Sequence, residues 1–289
     1  MLNDSFQGAF PAQLYPEQGS EVFHGKQFDF KEKAQILGMV DLLGRGHDAD
    51  ISVHVRAINP VKGEARKLTL ANINEMARLN KAGWNLYLVI NRGGNTAEEI
   101  TQCYAIFFEY DDRPKEQQVE IWEEHGLPEP TFQVDTGGKS IHHYWVFDRP
   151  IGVEQWRDLQ RRLLVLAAES DQNLKDPSRL MTLAGVFKWA GKKYPELGLA
   201  KQAGDFVGRG RIISKGGTTY CAADLDALLP PLEVLSYLPT SYSKALKGVA
   251  ATEWEHNRKK ALTALKCLPP ADFETYEGWL PVGMALHSI

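Results

Sequence analysis

Between Tyr104 and Asp112 the chain reads Tyr-Ala-Ile-Phe-Phe-Glu-Tyr-Asp-Asp, an apolar run that turns acidic at its end. Strand side chains alternate between faces, so Phe107, Glu109 and Asp111 share one side and Ile106, Phe108 and Tyr110 the other. Two carboxylates then stand side by side at a strand end. Like charges a few ångströms apart repel and raise one pKa, so such a pair calls for a bound cation or a shared proton. A hard divalent ion such as Mg2+ suits it. The plainer alternative is an edge strand running into an acidic turn, and the rest of the chain decides between them.

The 289 residues are 43% apolar and 10% aromatic, enough for a sizeable core in one large domain or two small ones. No stretch approaches the roughly 18 apolar residues that span a bilayer, and no basic-then-apolar leader opens the chain. The expectation is a cytoplasmic protein with no membrane partner. Cys103, Cys221 and Cys267 are far apart and odd in number, which fits neither a disulfide framework nor a zinc knuckle. A net charge of −4 argues against non-specific coating of nucleic acid, yet leaves room for a local basic groove beside an acidic centre.

Residues 1–48 scatter aromatics among Gly, Pro and polar residues, which predicts an irregular arm with a helix over 30–43. Residues 51–57 alternate with period two, placing Ile51, Val53 and Val55 on one strand face. A helix over 70–82 closes at Gly83, and a strand over 86–90 runs into Asn91-Arg92-Gly93-Gly94. That Gly pair reads either as a turn or as backbone approaching a phosphate, with Arg92 supplying charge. A helix over 115–124 is followed by a hairpin, 131–135 and 141–147, with Thr136-Gly137-Gly138-Lys139-Ser140 at its tip. On its second strand Ser140, His142 and Tyr144 share a face, while His143 joins the aromatic face. An amphipathic helix over 153–168 precedes Asp171 and Asp176, a short strand over 180–185, and Lys188. Residues 1–240 are expected to form one catalytic domain with its core at about 50–215. A linker over 241–251 and the start of a helical domain over 252–289 follow, with more protein expected beyond.

These features, taken in order, resemble the archaeo-eukaryotic primase superfamily, specifically the primase-polymerases and RepB-like primases of phages, plasmids and mobile elements. Phe107-Phe108-Glu109-Tyr110-Asp111 matches its first motif, Ser140-Ile141-His142 its second, and Asp171 or Asp176 with Arg179 its third. The chain departs from the family in carrying Glu109 where Asp is frequent, and Thr182 and Ala184 where Arg and Pro are frequent. The resemblance implies an α+β fold: an RRM-like primase-polymerase core with a mixed or antiparallel sheet beside a small subdomain. It implies primer synthesis and DNA polymerase activity on a single-stranded DNA template, using NTPs or dNTPs, with a helicase linked downstream. In-line attack at an α-phosphorus is served by two metal ions, Mg2+ or Mn2+, on Glu109, Asp111 and Asp171, with Asp176 as the alternative third ligand. The triphosphate needs donors, for which His142, Ser140, Lys139, Arg179, Lys188 and Arg92 are suited, together with the N–H groups of Gly137 and Gly138.

Two other readings compete. A metal-dependent nuclease or rolling-circle initiator places two histidines on one strand face, whereas His142 and His143 are adjacent and point opposite ways. A non-catalytic single-stranded nucleic-acid-binding module would stack bases on exposed sheet aromatics such as Phe107. Glu109 and Asp111 beside a polyanion without a metal make that costly.

Overall fold

Two four-stranded antiparallel sheets and a two-stranded ribbon carry the described residues of the computed structural model, which are 27–46, 51–198 and 200–231. The predicted linker and C-terminal helices, and the aromatic arm before residue 27, lie outside them. Residues Met1–Leu229 group into one unit and Pro230–Ile289 into another. No helix among the described residues is long and apolar enough to cross a membrane.

Helix α1 (Phe30–Leu42) starts on a capping box, in which Asp29 accepts from the Glu32 amide at 2.7 Å and Glu32 accepts from the Asp29 amide at 2.8 Å. The first sheet begins with β1 (His54–Ile58), β2 (Ala65–Thr69) and, after helix α2 (Ile73–Lys81), β3 (Asn85–Val89). β1 lies between β2 and β3. Val53, Val55 and Ala57 line the core as the alternation predicts, but Ile51 is 76% exposed and outside the strand. Beside it, the Arg45 guanidinium donates to the Ser52 carbonyl at 2.5 Å and to the Val89 carbonyl at 2.8 Å, tying the entry of β1 to the end of β3. Strand β2 has no counterpart in the sequence reading because it is a polar, largely exposed outer strand without an apolar stripe.

The second sheet is built from β4 (Cys103–Glu109), β5 (Phe132–Asp135) and β6 (Ile141–Ile151), with two short helices between β4 and β5, α3 (Lys115–Gln118) and α4 (Ile121–Glu124). Sequence predicts one helix there. It breaks because two carbonyls at the junction are taken by the sheet: Gln118 accepts from His143 Nε2 at 2.9 Å and Val119 from Gln133 at 2.6 Å. β6 is central, flanked by β5 and β4. Both Phe107 and Phe108 are fully buried, so β4 offers no exposed aromatic for base stacking and that reading falls.

β4 is an edge strand, and helix α5 (Val153–Leu166) covers its free side. Trp156 Nε1 donates to the Ala105 carbonyl at 2.7 Å, and the Gln160 amide both donates to Phe107 O at 2.8 Å and accepts from Phe107 N at 3.1 Å. The next free carbonyl, that of Glu109, accepts from the Asp171 amide at 2.9 Å. From there β7 (Leu180–Thr182) completes the first sheet beside β3, and β8 (Phe187–Trp189) pairs with β9 (Phe206–Arg209) as the ribbon. β10 (Arg211–Ser214) joins the second sheet beside β5, and helix α6 (Ala222–Leu228) follows. The chain thus passes from one sheet to the other across residues 171–210.

Two consequences are measurable. Gln160→Ala leaves a buried N–H and a buried C=O of Phe107 unpaired, at about 1–3 kcal/mol each, so urea unfolding should show a loss of about 2–6 kcal/mol. His143 is fully buried, and burial pulls its pKa down to about 3 against hydrogen bonds to backbone carbonyls that favour the charged form. A histidine neutral when folded but protonated when unfolded stabilises fully above pH ~6.5 and loses that contribution as pH falls toward ~3. Wild-type stability should therefore drop between pH 7 and 5 at up to about 1.4 kcal/mol per unit, and the slope should flatten in His143→Phe.

Candidate active site

Glu109 ends β4 directly opposite His142 of β6, and its Oε2 lies 2.9 Å from His142 Nε2. Burial opposes its charge, but His142, Lys188 and Ser140 outweigh burial and hold its pKa down at about 2. Glu109 is therefore an anion at neutral pH. The other ring nitrogen of His142, Nδ1, stands 3.1 Å from the Tyr144 hydroxyl. Burial and the Glu109 charge keep Tyr144 protonated, and its hydroxyl pairs with Nδ1 while Nε2 donates to the Glu109 carboxylate. Both nitrogens of the buried His142 ring are thus engaged, and its direct partner is Glu109.

Asp111 lies two residues past Glu109 and accepts from Ser140 Oγ at 2.8 Å, with Lys139 Nζ 3.1 Å from its second oxygen. Asp171 arrives through its backbone bond to Glu109, and its carboxylate pairs with Arg179 at 2.8 Å. Residues 62 positions apart in sequence are thereby brought to one strand end by a single amide–carbonyl bond. Asp176 is exposed and its oxygen is occupied by the Ser178 amide and hydroxyl at 2.8 and 2.9 Å, so it shapes a turn. Lys188 of β8 sits over the Tyr87 ring, 5.1 Å from its centroid. Burial works against its charge, but Tyr87, Tyr194 and Glu109 prevail and raise its pKa.

The glycines behave differently from the sequence expectation. The Gly137 amide donates to Asp135 at 2.8 Å and the Gly138 amide to Thr136 Oγ1 at 3.2 Å, so neither N–H is available as a phosphate donor. Gly137 has φ +72°, and a Cβ there would lie 2.6 Å from the Arg209 amide nitrogen, so close approach of β9 demands glycine. Arg92 is set apart as well. It bridges to Gln102 at the start of β4, roughly 20 Å along the strand from Glu109. A Cβ on Gly93 would meet the Glu99 carbonyl oxygen at 1.9 Å, so the Gly pair serves packing.

Tyr87, Tyr194 and Gln118 went unnoticed in the sequence reading, and Tyr144 entered it only as sharing a face with His142. Gln118 bonds the Lys139 carbonyl at 3.0 Å and the Ile141 amide at 2.7 Å, which holds the turn carrying Lys139 and Ser140. Only the alternation that pairs Tyr144 with His142 on one face carried any signal. A cleft of about 400 Å³ opens at Tyr87, its polar lining completed by Arg56, Asn95, Asp176, Ser178 and Arg179. Each carboxylate faces its own basic partner: Glu109 has His142, Asp111 has Lys139 and Asp171 has Arg179. Among the described residues, no three His, Cys, Asp or Glu side chains are gathered closely enough to form a finished metal cage.

No protein-family model matches the chain, and no curated protein matches it in sequence. Among solved structures, the AEP domain of the primase-polymerase of cyanophage S-2L is 37% identical with a TM-score of 0.57, over 70% of this chain and 99% of that one. The catalytic domain of primase RepB′, solved in complex with initiator DNA, is 17% identical with a TM-score of 0.46, over 76% of this chain and all of that one. A second RepB′ structure is 15% identical with a TM-score of 0.47, covering 82% of this chain and 74% of that one. The RepB′ likenesses are too remote to add weight. The identity shared over the whole phage domain carries the assignment: this chain belongs to the archaeo-eukaryotic primase superfamily, among its primase-polymerases.

Proposed function

We propose that this domain catalyses template-directed nucleotidyl transfer on single-stranded DNA, making primers de novo and extending them as a DNA polymerase. Its substrates are nucleoside or deoxynucleoside triphosphates, and its setting is cytoplasmic replication of a phage, plasmid or mobile element, with a helicase as partner. One observation supports this most: the Asp171 amide bond to the Glu109 carbonyl, which gathers carboxylates from two distant segments beside Lys139, Arg179 and Lys188.

The donor set fits a hard divalent cation, since carboxylate oxygens suit Mg2+ and Mn2+ and Glu109 stays ionised. Glu109, Asp111 and Asp171 would hold it. Two such ions, when bound, supply charge neutralisation at the phosphates and activation of the attacking 3′-hydroxyl. The chain's own cations do the remainder. Lys139 and Arg179 exchange their carboxylate partners for phosphate oxygens as the triphosphate enters, and Lys188 adds a charge already desolvated. His142, set by Tyr144, keeps Glu109 oriented, and Ser140 does the same for Asp111. The cleft at Arg56 and Tyr87 is of a size to take part of a nucleotide.

Labelled nucleotide incorporation on primer-free single-stranded DNA, with Mg2+ or Mn2+, tests the proposal. Product ladders are expected from the wild type. Glu109→Gln, Asp111→Asn and Asp171→Asn should each lower the rate by about 100-fold or more, the scale of losing charge stabilisation at a reacting phosphate. Asp176→Asn should stay within about threefold, as a surface turn residue does. Cleavage of the template in place of incorporation would replace this reading with a nuclease.

A further inference from the structure

The segment between β8 and β9 closes on itself, with the Ala190 amide donating to Asp205 O at 2.8 Å and the Gly204 amide to Ala190 O at 2.9 Å. Within it, a turn bonds Tyr194 N to Gly191 O at 3.1 Å and sends the Tyr194 side chain toward the Gly-rich tip of the β5–β6 hairpin. A Cβ built on Gly138 would stand 2.7 Å from the Tyr194 hydroxyl and 3.6 Å from Cζ. Gly138, unlike Gly137, does not have a left-handed φ. Its backbone would accept an L-residue, and what stands in the way of a side chain is chiefly the hydroxyl.

That hydroxyl stands within reach of the charges of Lys188, Lys139 and Asp111. Burial, chiefly, pushes its pKa up, so it keeps its proton. No hydrogen bond to it is found among the described residues. A protonated hydroxyl beside these charges that makes no hydrogen bond to another described residue is free to donate to an anionic oxygen brought in next to Lys139 and Lys188.

We infer that Tyr194 is a further nucleotide-binding residue, donating to the triphosphate between Lys139 and Lys188, and that Gly138 is glycine to let it reach there. This rests on the nucleotidyl-transfer reading of the site. Donation to a charged oxygen makes the effect one of binding, and Tyr194→Phe keeps the ring and therefore the packing.

The test uses the full chain and four proteins: wild type, Tyr194→Phe, Gly138→Ala and the double variant. Binding of dATP and of inorganic triphosphate is measured by calorimetry with Mg2+, alongside steady-state incorporation of dATP. Tyr194→Phe should weaken both ligands by roughly tenfold, the fold-change of one hydrogen bond to a charged group. Its KM should rise by the same factor, with kcat within about twofold of wild type. Gly138→Ala should also weaken both ligands, and the double variant should bind no worse than Tyr194→Phe, since the clash leaves with the hydroxyl. Unchanged triphosphate binding by Tyr194→Phe overturns the inference, as does a loss confined to dATP, which would move the contact to the base or sugar. If wild type neither binds dATP nor incorporates it, the reading of the whole site falls, and this inference with it.

Discussion

The free edge of β4 is the constraint on which the rest depends. A strand in the protein interior presents a row of N–H and C=O groups on its unpaired side, and each left without a partner costs as much as a lost hydrogen bond. Here the row is satisfied by three different devices in sequence: the Trp156 indole, the Gln160 amide and the Asp171 backbone. The first two hold α5 flat along the strand. The third continues the same line past the end of the helix and so carries a carboxylate to the residue where the strand turns acidic. Edge protection and assembly of the site are one physical solution.

Charge balance follows from that geometry. Three carboxylates close to one strand end would repel one another, and each is countered by a basic group from a different element: His142 from β6, Lys139 from the hairpin tip and Arg179 from the approach to β7. Lys139 and Arg179 are partly exposed and come from segments separate from their carboxylates, so each can change partner without unfolding an element, whereas the buried His142 is held in place. Lys188 differs. It is held over the Tyr87 ring from the ribbon, and its charge survives burial through the oxygens around it. The site therefore combines two partly exposed, exchangeable cations, Lys139 and Arg179, with one desolvated cation, Lys188.

Much of this was legible in the residues. The strands β4, β5 and β6 and the helix α5 carry strong periodicity, and the acid-x-acid and Ser-x-His patterns lie where alternation puts them on a shared face. Legibility failed where tertiary contacts overrode local pattern. Strand β2 is a polar outer strand that packs on the core only at its end, through Leu68. The predicted helix after β4 breaks because His143 and Gln133 claim its carbonyls. The glycines at 93, 137 and 138 read as phosphate-binding backbone, yet Gly93 makes room for the Glu99 carbonyl on its own loop, and Gly137 and Gly138 for Arg209 and Tyr194 from far along the chain.

What the sequence by itself determined was the set of chemical groups and their local faces: acid at the end of an apolar strand, Ser140 beside His142, and a hairpin whose tip carries a lysine. Periodicity of two and covalent adjacency suffice for that. What only the tertiary structure decided was the pairing among them. The choice of Asp171 over Asp176 at Glu109, the engagement of both His142 nitrogens, the distance of Arg92 and the reach of Tyr194 to Gly138 depend on hydrogen bonds and close contacts between segments tens of residues apart. No local spacing encodes such bonds, because they exist only once the strand edge has been covered and the two sheets have been joined through residues 171–210.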